Sequence, residues 1–214
     1  MIELVNPKTQ LPLFLDKNEN ILKDQENNKY PIVNGIPRFI SSDNYASNFG
    51  FQWNTFAKTQ IDTSYNNFEL SKKRFFKQFG KNEKFFENKK ILEVGSGAGR
   101  FSNVVLQHTK ANLYSTDISS SVDVNLENNK EYLKRLNIYQ CNVNEMPFKE
   151  NTFDIVFCFG VLQHTPKVSD TIKNLLKYAK KDALVVVDFY PIKGWWTKIN
   201  AKYILRPITK KIPH

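Results

Sequence analysis

The sequence predicts an α/β protein whose core is a doubly wound, mostly parallel sheet, with a small strand-rich arm before it. Three observations lead to this fold class. From residue 89 onward, short apolar segments alternate with segments whose apolar residues recur at helical spacing. The segment Phe153–Phe159 is apolar almost throughout, as expected of a strand buried on both faces. A turn with three alternating glycines, Gly95 to Gly99, joins the first of these strands to the first helix.

The order of the elements follows from this alternation. The predicted strands are Lys90–Val94, Asn112–Ser115 ending at Thr116-Asp117, Asn137–Cys141, Phe153–Phe159 and Ala183–Tyr190. The predicted helical segments between them are Arg100–His108, Ser121–Leu136 and Val168–Lys180. Five strands with intervening helices are typical of a doubly wound sheet.

An aromatic-rich segment precedes the sheet. Phe68, Phe75, Phe76 and Phe79 fall on one face of a predicted helix, with lysines and one arginine around them. Such a pattern can bind single-stranded nucleic acid. A helix with its aromatic rings in the core and its basic groups in water is the favoured interpretation.

The first 42 residues form a separate strand-rich arm. Prolines punctuate short apolar runs, and two short strands are expected around Asn34-Gly35. About forty residues bury too little surface to fold alone without a metal or a disulfide. The arm contains no cysteine or histidine, so it is expected to lean on the main domain. The predicted regions are 1–42 (arm), 43–88 (aromatic-rich helical segment covering the cleft), 89–192 (main domain) and 193–214 (basic aromatic tail).

The composition of the chain limits the classes of protein to which it can belong. The chain has 214 residues and a net charge of +10, and it shows neither a signal peptide nor an apolar run of membrane-spanning length, so a cytoplasmic location is expected. Cys141 and Cys158 lie in strand-like segments and are expected to be buried and reduced; a disulfide or reactive role is the alternative. The positive charge is compatible with binding to nucleic acid, to an anionic membrane or to an acidic substrate. The alternative is a lysine-rich composition that serves no partner.

Candidate site residues follow four of the predicted strands. The glycine turn exposes backbone N–H groups at a helix start, which favour a negative or electron-rich group, although a plain tight turn is the alternative. Asp117 lies 22 residues beyond Gly95, a spacing at which an acid can accept hydrogen bonds from both ribose hydroxyls. Its alternative role is the N-cap of a helix. Asn142-Val143 and the stretch Gly160–His164 follow the third and fourth strands.

Together these blocks resemble the class I S-adenosyl-L-methionine-dependent methyltransferases, specifically the type 11 branch. The matching blocks are Ile91–Gly99, Asp117-Ile118-Ser119, Met146-Pro147-Phe148, Phe153-Asp154-Ile155-Val156 and Val161–Pro166. The resemblance covers residues 90 to 190 and implies a Rossmann-like sheet that binds S-adenosylmethionine. The family sheet normally has seven strands, and only 24 residues follow Tyr190, so its last two strands are expected to be missing from this chain.

The resemblance implies a set of cofactor contacts. The implied cofactor-binding residues are Glu93, Gly95, Ser96, Gly97, Gly99, Asp117, Ile118, Asn142, Val143 and Gly160. Glu93 would face the methionine amino group, Asp117 would hold the ribose hydroxyls and Ile118 would pack on the adenine. Asn142 stands where the family commonly has aspartate, and its side-chain carbonyl would accept from the adenine amino group. Gly160 would leave room for the methionine end.

The arm resembles an N-terminal arm of some bacterial family members that carries two Cys-x-x-Cys zinc pairs. The corresponding positions here are Asn6, Thr9, Lys23 and Glu26, and none is a thiolate. We therefore predict no metal site in the arm.

Methyl transfer from a sulfonium is a direct displacement that requires no metal, and the enzyme mainly aligns the reactants. His164 is the candidate general base; it could instead cap a turn or fill a gap near the cofactor. Tyr45 and Trp53 are candidates for the acceptor side.

The resemblance favours a small-molecule, sugar or lipid-linked acceptor. The alternatives are a truncated, inactive binding or scaffold protein and, on charge alone, an RNA methyltransferase. The basic tail could also contact an anionic membrane.

Overall fold

A five-stranded parallel sheet forms the centre of the protein. The computed structural model describes residues 2–40, 61–62 and 69–189. The strands of the main sheet are β5 (Lys90–Val94), β6 (Asn112–Asp117), β7 (Leu136–Gln140), β8 (Phe153–Cys158) and β9 (Ala179–Val187). Their order is β7-β6-β5-β8-β9, and every neighbouring pair is parallel. The order reverses beside β5, which confirms the doubly wound sheet.

Helices cover both faces of this sheet. They are α1 (Leu70–Phe79), α2 (Arg100–His108), α3 (Ser121–Asn128) and α4 (Val168–Tyr178). Alternate residues of each strand point to opposite faces, so Ile91 and Leu92 join different hydrophobic clusters. The first cluster includes side chains of α1, α2 and α3, and the second includes side chains of α4.

The aromatic helix before the sheet contributes to the core, as predicted. Phe75 is fully buried, and its ring lies 5.6 Å from the ring of Phe157 and 6.4 Å from that of Phe101. Phe79 is also buried, and Phe76 packs partly buried against the same cluster. Phe68 lies outside the described residues, as do Tyr45 and Trp53.

Several predicted boundaries are wrong: the last helix ends at Tyr178 instead of Lys180 and the fifth strand ends at Val187 instead of Tyr190, while the two largest errors have a visible cause. The helix predicted over Ser121–Leu136 ends at Asn128, because the buried side chain of Asn129 donates to the backbone oxygen of Asn125 at 3.2 Å and closes the last turn. A short 3-10 helix, Lys130–Tyr132, follows, and Leu136 already pairs with Leu113 as a strand. The fifth strand begins at Ala179 rather than at residue 183, because Ala179 pairs with Phe153 across an irregular register.

The N-terminal arm is a four-stranded antiparallel sheet. Its strands, in spatial order, are β1 (Phe14–Asp16), β2 (Ile21–Lys23), β3 (Lys29–Val33) and β4 (Ile36–Pro37). The predicted hairpin around Asn34-Gly35 is confirmed, with positive φ at both residues. Strands β1 and β2 have three residues each and are too short to carry a clear alternating pattern.

The arm packs against the main domain through backbone hydrogen bonds. The N–H of Val5 donates to the carbonyl of Pro147 at 3.1 Å, and the N–H of Phe39 donates to the carbonyl of Gln140 at 2.8 Å. Within the arm, Asn6, one of the four positions compared with zinc ligands, donates to the carboxylate of Asp24 at 2.6 Å. A hydrogen bond therefore joins the two turns of the arm.

Both cysteines are free and buried, as predicted, and burial raises the pKa of each thiol. Among the described residues, no helix is long and apolar enough to cross a membrane.

Candidate functional site

The candidate residues lie just beyond the carboxyl ends of four adjacent strands. Gly95 follows β5, Asp117 ends β6, Asn142 follows β7 and Gly160 follows β8. Because these strands are parallel, their carboxyl ends share one edge of the sheet, where ligands bind in open α/β folds. The structure thus brings together the four groups of residues that the sequence indicated separately.

The glycine loop is held by close packing at two of its glycines. Gly95 has a φ of +77°, and a Cβ built on it would lie 2.2 Å from a methyl group of Val161. Gly99 has a φ of +84°, and a Cβ there would lie 2.2 Å from the amide oxygen of Asn125. Glycine is required at both positions by backbone conformation and by space.

Asp117 organises two loops through its carboxylate. Its Oδ2 accepts the backbone N–H of Gly97 at 2.8 Å, which ties the glycine loop to the end of β6. Its Oδ1 accepts the N–H and the hydroxyl of Ser119 at 2.8 and 2.7 Å. The N-cap position of α3 is Ser120, so the alternative role of Asp117 as that helix cap is not observed. Of the four lone pairs of the carboxylate, these three hydrogen bonds leave one, on Oδ2, for a further donor.

Glu93 lies inside the protein behind the glycine loop. The residue is 2% exposed, and its Oε2 accepts hydrogen bonds from the hydroxyls of Ser102 and Ser115, the latter at 3.1 Å. The amide of Asn125 donates to both hydroxyls, at 3.0 and 2.9 Å. Burial raises the pKa of Glu93 to about 7, against the lowering effect of the hydroxyl donors. The contact with a methionine amino group stays a prediction.

The residues implied for the adenine side lie after β6 and β7. Ile118 and Val143 are half-buried, and Val143 packs against the second hydrophobic cluster. The side-chain oxygen of Asn142 accepts the N–H of Asn144 at 2.9 Å, which fixes the amide orientation and uses one of its two lone pairs. The adenine contacts of these residues stay predictions.

The end of β8 carries three polar features. Gly160 has a φ of +71°, and its N–H donates to the carboxylate of Asp188. His164 is exposed and ends the short 3-10 helix Leu162–His164. Its role as a general base stays a prediction. The amide nitrogen and oxygen of Gln163 are both buried, and neither has a hydrogen-bond partner in the described part of the chain.

Sequence reasoning missed Asp188, which is 9% exposed and directly follows β9. Its second carboxylate oxygen accepts from Arg74 and Gln78 of α1, the latter at 3.3 Å. The predicted strand ran to Tyr190 and placed Asp188 inside it, whereas the observed strand ends at Val187. The partners come from a helix 110 residues earlier in the chain and could not be read from spacing.

Metal chemistry has no visible support in the described residues. Over 2–40, 61–62 and 69–189, no group of three or more His, Cys, Asp or Glu side chains is arranged to hold a metal ion.

Part of the chain is similar to known proteins. Residues 92–187 match a family model described as a methyltransferase domain. The ubiquinone biosynthesis O-methyltransferase of Coxiella burnetii is 34% identical over 129 residues, which are 58% of this chain and 54% of that protein. The tRNA U34 carboxymethyltransferase of Nautilia profundicola is 28% identical over 109 residues, which are 50% of this chain and 36% of that protein. The chain spans about half the length, or less, of the curated relatives it matches.

A solved structure shows the same fold. A protein from Methanococcus maripaludis, described as an S-adenosylmethionine-dependent methyltransferase, superposes with a TM-score of 0.55 at 15% identity. The match covers 80% of this chain and 75% of that chain. Residues 92–187 are therefore similar to a methyltransferase domain, and the chain shares its fold with that solved structure.

Proposed function

We propose that the protein transfers a methyl group from S-adenosylmethionine to a small-molecule, sugar or lipid-linked acceptor. The observation that carries this proposal is the hydrogen bond from the N–H of Gly97 to the carboxylate of Asp117. It holds the glycine loop beside an acid at the edge where four parallel strands end. This arrangement suits a nucleoside whose ribose binds the acid while its tail crosses the loop.

The residues at this edge fit the cofactor. The Oδ2 atom of Asp117 keeps one lone pair for a ribose hydroxyl, and the glycine loop lets the backbone approach a ligand closely. The hydroxyl oxygen of Ser96 is buried in this loop and has no hydrogen-bond partner among the described residues. An unpaired buried polar atom is costly, so a ligand group that bonds to it would remove the cost.

S-adenosylmethionine supplies an activated methyl group on a sulfonium centre. The protein's own contribution is to orient that group, to exclude water and to position the acceptor. Val161, which follows β8 and Gly160, has its side chain beside Gly95, so it borders the part of the site next to the glycine loop. His164, four residues beyond Gly160, is our candidate for accepting a proton from a hydroxyl or ring-nitrogen acceptor.

Calorimetry with S-adenosylhomocysteine tests the cofactor site. We expect the wild-type protein to bind it and Asp117→Asn to bind it at least about tenfold more weakly, because the charged acceptor for the ribose hydroxyls is lost. Glu131→Gln, a change at an exposed position, is the control and should bind like the wild type. Absence of binding by the wild type would contradict the proposal.

The acceptor class is tested separately by following radioactive methyl groups from S-adenosylmethionine. Total RNA, a lipid extract and a water-soluble metabolite extract would each be incubated with the protein. We expect label in the lipid or metabolite fraction. Label confined to RNA would favour the RNA methyltransferase alternative, and cofactor binding without transfer to any fraction would favour the scaffold alternative.

We also propose that the basic tail, residues 193–214, contributes peripheral membrane contact. After Asp188 the sequence has no acidic residue but six lysines and arginines. An anionic membrane surface attracts such positively charged side chains. Sedimentation with anionic vesicles should be lost when residues 193–214 are deleted; equal sedimentation of both forms would contradict the proposal.

A further inference from the structure

Arg38 links the N-terminal arm to the main domain at the edge that holds the candidate site. It directly follows β4 and is 8% exposed. Its Nη1 donates to the side-chain oxygen of Gln140 at 3.1 Å, and its Nη2 donates to the carboxylate of Asp123 at 2.7 Å. Gln140 ends β7, and Asp123 lies in the first turn of α3. Arg38 thus contacts α3, which follows the loop after β6, and β7, which pairs with β6.

The amide of Gln140 extends this contact to the loop itself. Its Nε2 donates to the carbonyl oxygen of Ile118 at 3.1 Å. A guanidinium can only donate hydrogen bonds, so Arg38 selects the amide orientation whose oxygen faces the arm. That orientation turns the NH₂ group of Gln140 toward Ile118. The carbonyl oxygen of Ile118 can only accept a hydrogen bond, so it favours the same amide orientation, and Arg38 strengthens that preference from the other side.

Backbone contacts hold Arg38 in this place. Arg38 and Gln140 form a parallel bridge, and the N–H of Phe39 donates to the carbonyl of Gln140 at 2.8 Å. On the other side, the N–H of Cys141 donates to the carbonyl of Asp117 at 3.0 Å. The end of β7 therefore lies between the arm and the candidate ribose-binding acid, with hydrogen bonds to both.

We infer that Arg38 is a positioning residue for the adenosine half of the cofactor site. It acts through Gln140 and Asp123 on the loop that carries Asp117 and Ile118. This inference rests on the proposed function, in which Asp117 binds the ribose and Ile118 the adenine. It gives the arm a role in cofactor binding beyond support of the fold.

A second ion pair between the arm and the main domain provides a matched control. Lys149 and Glu3 lie 2.7 Å apart, and their side chains are 53% and 52% exposed. Lys149 lies in the segment that leads into β8, at the amino end of that strand. Loss of this exposed pair weakens the attachment of the arm, although by less than loss of the buried Arg38 contacts, without touching the loop after β6. The side chain of Arg38, in contrast, is 8% exposed.

The experiment measures binding of two ligands by calorimetry. S-adenosylhomocysteine contains the nucleoside and the amino acid, whereas 5′-methylthioadenosine keeps the nucleoside alone. In Arg38→Gln we expect both ligands to bind about 3- to 30-fold more weakly by the same factor, as found for residues that act through another. Lys149→Gln should bind both like the wild type. Circular dichroism fixes a temperature at which every variant is folded.

Three results would overturn the inference: unchanged binding by Arg38→Gln, an equal loss in Lys149→Gln, or a loss restricted to S-adenosylhomocysteine. If the wild type bound neither ligand, the proposed function itself would fail and this inference with it. Failure of the inference alone requires a wild type that binds.

Gln140→Glu tests the relay if Arg38→Gln does not fold. The substituted carboxylate keeps an acceptor for Arg38 but has no NH₂ group to donate to Ile118. The arm contact is therefore retained while the contact to the loop is lost. We expect a thermal midpoint at or above that of the wild type together with weaker binding of both ligands. Wild-type affinity in this variant would overturn the relay.

Discussion

Asp188 accepts a hydrogen bond from the backbone N–H of Gly160, which connects the first residue after β9 to the loop after β8. The other oxygen of the same carboxylate accepts from the guanidinium of Arg74. Arg74 belongs to α1, which precedes the sheet in sequence. One buried carboxylate thus joins a helix from the aromatic-rich segment to two strand ends at the candidate site. This contact fixes α1 beside that site, together with the burial of Phe75 and Phe79 in the core.

Removal of this carboxylate should destabilise the fold. Asp188→Ala leaves the N–H of Gly160 and the guanidinium of Arg74 without their acceptor, which costs about 1–3 kcal/mol of unfolding free energy. The side chain of Arg74 is 37% exposed and can turn to water, so the lower half of that range is expected. Urea unfolding measures the loss. Asp182→Ala, at an exposed position of β9, is the control, and an equal effect of the two variants would contradict the prediction.

The contact between Gly95 and Val161 can be separated from backbone strain. Gly35 and Gly95 share a φ of +77°, but a Cβ on Gly35 would meet nothing within 4 Å. Gly35→Ala should therefore lose about 1–2 kcal/mol of unfolding free energy, and only because alanine is strained in this left-handed conformation. Gly95→Ala should lose a further ~1–3 kcal/mol from overpacking against Val161. Equal losses in denaturant unfolding of the two variants would show that Val161 yields without cost.

The buried carboxyl of Glu93 predicts a pH dependence of stability. Its folded-state pKa is raised from the ordinary 4.5 to about 7, so between these values the folded chain holds a proton that the unfolded chain has released. The unfolding free energy contributed by Glu93 therefore falls as the pH rises from 4.5 to 7, by about 3 kcal/mol in all. Above pH 7 this contribution is constant, because both states are then deprotonated.

Glu93→Gln isolates that contribution, because glutamine keeps an oxygen for the hydroxyls of Ser102 and Ser115 and does not titrate. The variant should gain stability relative to the wild type as the pH is raised from 4.5 to 8. Urea unfolding at several pH values, without ligand, gives the difference directly. A difference that stays constant with pH would contradict a raised pKa.

The local sequence pattern was sufficient to predict the central strand of the sheet and the helix that follows it. The bounds of β5 and α2 agree with the sequence prediction, because each has a strong period and a glycine turn separates them. The approach of Asp117 to the glycine loop was predictable in kind, since adjacent parallel strands end at one edge. The direct bond to Gly97 could not be predicted, because it depends on how the loop closes in three dimensions.

Contacts between distant segments were not accessible from one sequence. Arg38 was visible only as part of a scaffold arm, and nothing in its neighbourhood pointed to Gln140, 102 residues away. The end of α3 was missed because the side chain of Asn129 turns inward toward Asn125 and Asn103, a choice made by tertiary contacts. From the sequence alone, polar residues that such contacts bury cannot be distinguished from polar residues on the surface.

Gln163 offers a test in which stability and function move in opposite directions. Its buried amide has no hydrogen-bond partner in the described part of the chain, and such a group costs about 1–3 kcal/mol. Gln163→Met keeps the length of the side chain and removes the unpaired atoms, so the unfolding free energy should rise by about 1 kcal/mol. If the amide is kept for a ligand at the end of β8, methyl transfer or S-adenosylhomocysteine binding should weaken in the same variant. Gln107→Met, at an exposed position of α2, should change neither quantity, and a Gln163→Met protein that is more stable and equally active would show that the amide serves no ligand.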